Sequence, residues 1–168
     1  MSLANALICC AYGVLWAGAR SFEGRRVPIF PVVAGAVIWL AACQYSGFYE
    51  SNRARVVLVS LIFATYTLLG AREVWHARDR ELISRWPTLA LLIVHVGFLL
   101  ARISLASSIS PSLLAAGPHR TGVLITAFEA LFVIYCLAFL RVSMAKERAE
   151  LQQRKVAHTD WLTGLAKR

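Results

Sequence analysis

Five long apolar segments, separated by short charged stretches, constrain this chain more than any other feature. They cover residues 3–19, 28–48, 56–71, 88–107 and 122–140. A helix that crosses the apolar core of a bilayer needs about 20 mostly apolar residues, and all five segments approach or reach that length. Lipid offers backbone groups no hydrogen-bond partners, so spanning segments are helical. The sequence therefore predicts an all-α, polytopic transmembrane helical bundle of about five spans.

Composition supports a membrane protein and argues against several other classes. The chain is 58% hydrophobic and 16% charged, whereas soluble domains are about 45–50% apolar and about 25% charged. The net charge of +9 comes mostly from residues between the apolar segments, where head groups and topology explain it. We therefore expect a lipid bilayer as partner and no nucleic acid. All four cysteines (Cys9, Cys10, Cys43 and Cys136) lie in apolar segments without CxxC spacing, so we expect small buried residues and no metal site.

The distribution of lysine and arginine predicts the orientation. Fourteen of the 18 basic residues lie in the first loop, the third loop and the C-terminal tail, while the opposite side holds Arg53, Arg55 and Arg120. Basic residues concentrate in cytoplasmic loops. We therefore expect the first and third loops and the C-terminus to be cytoplasmic.

Three ionisable residues interrupt the apolar segments: His95 and Arg102 in the fourth, and Glu129 in the fifth. Charges inside a bilayer are costly and usually face a partner or a cavity. Counted from the outer ends of their spans, Arg102 and Glu129 lie roughly 8 and 10 Å deep at 1.5 Å per residue. We therefore predict an Arg102–Glu129 ion pair inside the bundle. A ligand or ion pocket beside the pair is one alternative, and extension of Arg102 alone to the outer surface is another.

His95 lies seven residues before Arg102, so both share one helix face. Two interpretations remain open for it: a hydrogen-bonded residue of the core, or an intramembrane ligand.

The segment after Leu140 predicts a long exit helix, because residues 141–158 contain no glycine or proline and mostly strong helix formers. Val142, Ala149 and Val156 recur at seven-residue spacing, as do Met144 and Leu151. Such a seam would let two copies form a short parallel coiled coil, and we expect a homodimer through this helix. The alternative is a solvated helix that only positions the next domain.

Residues 158–168 read His-Thr-Asp-Trp-Leu-Thr-Gly-Leu-Ala-Lys-Arg. This segment resembles the opening of a GGDEF domain, the catalytic domain of diguanylate cyclases, which usually runs Asp-x-Leu-Thr-Gly-Leu-x-Asn-Arg. The residues that fit are Asp160, Leu162, Thr163, Gly164, Leu165 and Arg168, while Lys167 replaces the usual asparagine.

The resemblance implies three parts: a transmembrane sensory module (1–141), a cytoplasmic signalling helix (142–158) and the first residues of a truncated GGDEF domain (159–168). It implies an input module that regulates synthesis of cyclic di-GMP from two GTP by the missing domain, which would require Mg2+. Asp160 and Arg168 would brace the entry turn, a structural role. We expect no catalytic residue, metal ligand or cofactor in this chain, which should be inactive alone. The expected location is the bacterial inner membrane.

Two other functions remain open. A small transporter or channel subunit would rest on Arg102, Glu129 and His95, but it leaves the basic exit helix unexplained. The sensor half of a histidine kinase predicts a His-Glu-Leu-Arg-like phosphoacceptor box after the exit helix, and the sequence contains none.

Overall fold

The computed structural model of the chain describes residues 2–77, 82–108 and 118–157. These ranges form helices and no strand, so the predicted all-α class is confirmed. In chain order the helices are α1 (Ser2–Phe22), α2 (Ile29–Ala42), α3 (Ser46–Glu50), α4 (Asn52–Trp75), α5 (Arg85–Ser108) and α6 (Pro118–Ala157).

Within these ranges, α1, α4, α5 and α6 are each long and apolar enough to cross a membrane. They contain the first, third, fourth and fifth apolar segments of the sequence. The last of them continues well beyond the apolar segment, since α6 is one helix of 40 residues. The predicted bundle and its long exit helix are therefore both present.

The second predicted span requires a correction, because residues 28–48 do not form one helix. The apolar helix α2 has 14 residues, about 21 Å at 1.5 Å per residue, which is short of a hydrocarbon core of about 30 Å. Its end is closed by turn hydrogen bonds, with the amide of Gln44 donating to Ala41 and that of Tyr45 to Ala42. The short helix α3 follows. The predicted span extended through this turn because Cys43 and Phe48 are apolar.

The packing places α4 in the middle of the bundle, against α1 on one side and α5 on the other. Helix α2 packs on α1, and the two approach closely at Gly13, where an added Cβ would lie 2.1 Å from the carbonyl oxygen of Val32. The last helix packs chiefly on α5. Because α6 has one main neighbour, its orientation depends on a small set of contacts.

At one end of the bundle the end of α1, the first loop and the end of α4 lie together, on the side where the charge distribution predicted the basic loops. The Glu73 carboxylate, at the end of α4, accepts from Arg20 at 2.8 Å and from Arg25 at 2.9 Å. Arg20 lies in the last turn of α1 and Arg25 in the first loop. We call this region the basic end of the bundle, defined by Arg20, Arg25 and Glu73.

Candidate functional site along the last helix

A chain of three polar side chains crosses the interior of the bundle and reaches α6. The Nδ1 atom of His95, on α5, lies 2.5 Å from a carboxylate oxygen of Glu129, on α6. The Nε2 atom of the same ring lies 2.9 Å from the hydroxyl oxygen of Tyr12, on α1. We call Tyr12, His95 and Glu129 the polar network. It connects the first, fifth and sixth helices at one level.

The polar network is shielded from solvent by aromatic packing. The ring of Tyr12 stacks on Phe63 of α4, with centroids 4.1 Å apart, and also lies nearly parallel to the imidazole. The side chain of His95 is 2% exposed and that of Glu129 is 18% exposed. Buried polar groups are stabilised only when they are hydrogen-bonded, and both ring nitrogens of His95 have partners. Of the two interpretations of His95, the structure therefore favours a hydrogen-bonded residue of the core.

Glu129 is bonded to a different residue from the one predicted. In the described part of the chain its ion-pair contact is with His95, and none within 4.0 Å joins it to Arg102. Arg102 is half-buried and in electrostatic range of Tyr12 and Glu129.

Depth along the helices explains the difference. Helix α6 begins at Pro118, four residues before the apolar segment from which the prediction counted. Measured from the helix ends, Glu129 lies about 16 Å deep, His95 about 20 Å and Arg102 about 9 Å at 1.5 Å per residue. The carboxylate is therefore closer in level to the histidine than to the arginine.

A second set of contacts fixes α6 beyond its apolar part. Arg148 donates to the carbonyl oxygen of Phe22 at 2.6 Å and to the Glu23 carboxylate at 3.1 Å. Its guanidinium carbon lies 4.0 Å from the centroid of the Phe22 ring, which is a cation–π contact. The exit helix is thereby bound to the end of α1 and to the first loop.

The next residue along the chain, Glu147, binds the start of α5. Its carboxylate accepts from the Ser84 hydroxyl at 2.5 Å and from the Ser84 amide at 3.2 Å. Ser84 directly precedes α5, and a negative charge at a helix N-terminus is favourable because of the helix dipole. Met144 lies one turn earlier on α6, fully buried, with its sulfur 3.7 Å from the Thr88 hydroxyl oxygen.

These contacts divide the exit helix into two faces. The docked face contains Met144, Glu147, Arg148 and Leu151, which recur at the three- and four-residue spacing of one helix side. The free face contains Val142, Ala145, Ala149 and Gln152, all exposed. The two heptad rows of the sequence therefore have different environments: Met144 and Leu151 pack within the chain, whereas Val142 and Ala149 remain uncovered. The side chain of Val156 lies outside the described residues.

Sequence reasoning missed four residues that the structure brings into these sites: Tyr12, Glu73, Glu147 and Arg148. Glu73 carried a detectable signal, since it is an acidic residue beside a predicted span and near the basic loops. Tyr12 lies in an apolar segment where a single hydroxyl gives no pattern. Glu147 and Arg148 lie in a segment rich in both charges, where composition does not distinguish a docked residue from a solvated one.

Several predictions concern residues that the structure does not describe. The motif residues Asp160, Leu162, Thr163, Gly164, Leu165 and Arg168 all lie beyond Ala157, outside the described ranges. Among the described residues, no group of three or more His, Cys, Asp or Glu side chains could hold a metal ion. The four cysteines are free thiols.

No protein-family model matches the chain, and no curated protein or solved structure is significantly similar to it.

Proposed function

We propose that this chain is the membrane-embedded input module of a diguanylate cyclase, in which α6 transmits the signal to a GGDEF domain that begins near Asp160. The observation that carries the proposal is the continuity of α6. One helix of 40 residues joins the apolar bundle to the segment directly before the GGDEF-like motif. A shift or rotation at the level of the bundle is then passed along a rigid element to the next domain.

The docked face explains how the bundle would control that helix. Arg148 and Glu147 bind two different parts of the chain, the first loop and the start of α5. A rearrangement among α1, α4 and α5 therefore changes the preferred position of the exit helix. Synthesis of cyclic di-GMP joins two nucleotides and depends on their relative positioning, so a small helix displacement is a sufficient output.

The free face would hold a second copy of the chain. Val142 is 69% exposed, and with Ala145, Ala149 and Gln152 it follows the alternating three- and four-residue spacing of a coiled-coil seam. In the proposed protein, two exit helices meet along this face in the cytoplasm at the bacterial inner membrane. Each GGDEF domain would bind one GTP with Mg2+.

A fusion protein tests the proposal. The chain is joined through Arg168 to an active GGDEF domain, expressed in a bacterial inner membrane, and cellular cyclic di-GMP is measured. Replacing Glu147 or Arg148 by alanine removes a docking contact, and we expect cyclic di-GMP to change at least about fivefold, the lower end of usual coupling energies.

Matched control variants come from the same helix. Lys146 and Glu150 form an exposed ion pair at 3.9 Å and make none of the docking contacts, so alanine at either position should leave cyclic di-GMP near the parent level. Equal effects of docking and control variants, or no effect of any of the four, would contradict the proposal.

The second candidate function is that of a small transporter or channel subunit, which the polar network favours because buried ionisable residues often mark ion pathways. It predicts ion or solute flux in vesicles containing the purified chain, and that flux would be lost on replacing Glu129 by glutamine. Flux without any change of cyclic di-GMP in the fusion would select this function over the first.

A further inference from the structure

The sixth helix is the least embedded of the four long apolar helices. In the most apolar 18-residue stretch of α6 only 6% of the residues are buried within the chain, whereas the corresponding share is 28–50% in the other three helices. Apolar packing therefore contributes little to its position at this level. The His95–Glu129 contact is a polar connection between α6 and the interior of the bundle, and a change in its strength acts directly on the helix.

The hydrogen bonds of His95 are complete in two protonation states. When the ring is neutral, Nδ1–H donates to Glu129 and Nε2 accepts from the Tyr12 hydroxyl. When the ring carries a second proton, Nε2–H donates to the Tyr12 oxygen instead. A tyrosine hydroxyl donates and accepts equally well, so it only has to rotate. In both states each ring nitrogen of His95 has a hydrogen-bond partner.

The charged and titratable groups around His95 come from three helices. Tyr12 faces it from α1 and Glu129 from α6, while Arg102, on α5 itself, lies within electrostatic range of Tyr12 and Glu129. The central helix α4 contributes Phe63, which stacks on Tyr12.

In the apolar part of α4 the titratable residue is Tyr66. Its hydroxyl donates to the Pro31 carbonyl and accepts from the Gly35 amide, so it is directed toward α2 and away from His95. A carboxylate at Glu129 and a guanidinium at Arg102 have opposite charges, so the set of Tyr12, His95, Arg102 and Glu129 has no net charge while His95 is neutral. An added proton on His95 gives this set a net charge of +1.

We propose that Tyr12, His95 and Glu129 form a proton-binding site inside the apolar bundle, and that proton occupancy of His95 sets how firmly α6 is held to α5. In both states of His95 the ring donates a hydrogen bond to the Glu129 carboxylate, and the protonated ring adds the attraction of an ion pair to that bond. When His95 loses this proton at higher pH, a neutral imidazole donates to Glu129, and α6 is held to α5 less firmly. The meaning of this step for signalling rests on the proposed input-module function, whereas proton binding itself does not.

Nitrogen-15 NMR of the purified chain in lipid nanodiscs tests proton binding. With histidine selectively labelled, the ring signals of His95 are assigned by their absence in His95→Gln and followed from about pH 5 to about pH 9, the range in which histidines usually titrate. We expect both ring nitrogens of His95 to carry protons at the acidic end and one to lose its proton toward the basic end. A His95 ring that stays in one protonation state throughout would overturn the proposal.

Distance measurements test the mechanical part. Spin labels are placed at Val94 and Leu131, exposed positions on α5 and α6, in a variant whose four native cysteines are replaced. We expect the population in which α5 and α6 are separated to rise about fivefold toward high pH. This is the size of effect expected when a charged donor to the Glu129 carboxylate is replaced by a neutral donor.

Glu129→Gln provides the decisive comparison, because it keeps a hydrogen-bond acceptor of similar shape and removes the charge. The separated population in this variant should be higher than in the parent and should respond less to pH, because the ion-pair attraction between His95 and the carboxylate is gone. A pH response equal to that of the parent would overturn the proposal. Neither experiment measures cyclic di-GMP, so a negative result leaves the proposed function standing, and an inactive fusion does not affect the proton site.

Discussion

Single residues determine how closely the helices approach one another. Gly13 allows the backbone of α2 to contact α1, since a Cβ there would lie 2.1 Å from the Val32 carbonyl oxygen. Tyr66 acts differently, because its hydroxyl lies between the Pro31 carbonyl and the Gly35 amide, two groups that a regular helix would join directly. The position of α2 therefore depends on the lack of a side chain at Gly13 and on the hydroxyl of Tyr66.

Gly13→Ala should destabilise the chain. The added methyl group meets backbone, which cannot move aside without separating α1 from α2, and overpacking of this kind costs about 1–3 kcal/mol. The measurement is the thermal or denaturant midpoint of the detergent-solubilised protein.

The matched control for this prediction is Gly18→Ala on the same helix, where a Cβ would meet nothing within 4 Å. Its midpoint should equal or exceed that of the parent, because alanine favours a helix more than glycine does. Equal losses in the two variants would show that the close approach at Gly13 is not what matters.

At the scale of elements, α6 differs from the other long helices because it has one main neighbour and two chemically different faces. Its docked face is bound through Glu147 and Arg148, while its free face exposes Val142 and Ala149. The apolar residues of a water-exposed helix segment are normally covered. The predicted homodimer would cover them, and it remains a prediction.

Cysteine cross-linking distinguishes the two faces. In a background without native cysteines, Val142→Cys or Ala145→Cys should form a disulfide-linked dimer in membranes, because both positions lie on the free face. Lys146→Cys and Glu150→Cys, which lie off that seam, should form markedly less dimer. Equal cross-linking at all four positions would indicate random collision and contradict a specific pairing.

At the scale of the whole molecule, the basic end is where separate parts of the chain meet. Glu73 connects α4 to α1 and the first loop through Arg20 and Arg25, and Arg148 brings α6 to the same loop. Burial of one carboxylate between two guanidinium groups is favourable only while all the partners remain. The contacts at the basic end thus connect α1 and α4 to the exit helix α6.

The orientation of that end in a membrane is a prediction of the charge distribution. Reporter fusions after Arg154 should be fluorescent with green fluorescent protein and inactive with alkaline phosphatase, which folds only outside the cytoplasm. Fusions after Asn52, at the opposite end of α4, should give the reverse pattern. Phosphatase activity at Arg154 would overturn both the orientation and the proposed function.

The sequence alone determined the class, the main spans and the long exit helix, because hydrophobic length and the absence of helix breakers act locally along the chain. Tertiary structure decided the partner of Glu129, the turn that ends α2 at Ala42, and the docked face of α6. The partner of Glu129 and the docked face depend on the relative height or rotation of helices that are far apart in sequence, and a shift of one turn exchanges one partner for another. Local patterns carry no information about that height, so only the packed bundle could place His95, rather than Arg102, beside Glu129.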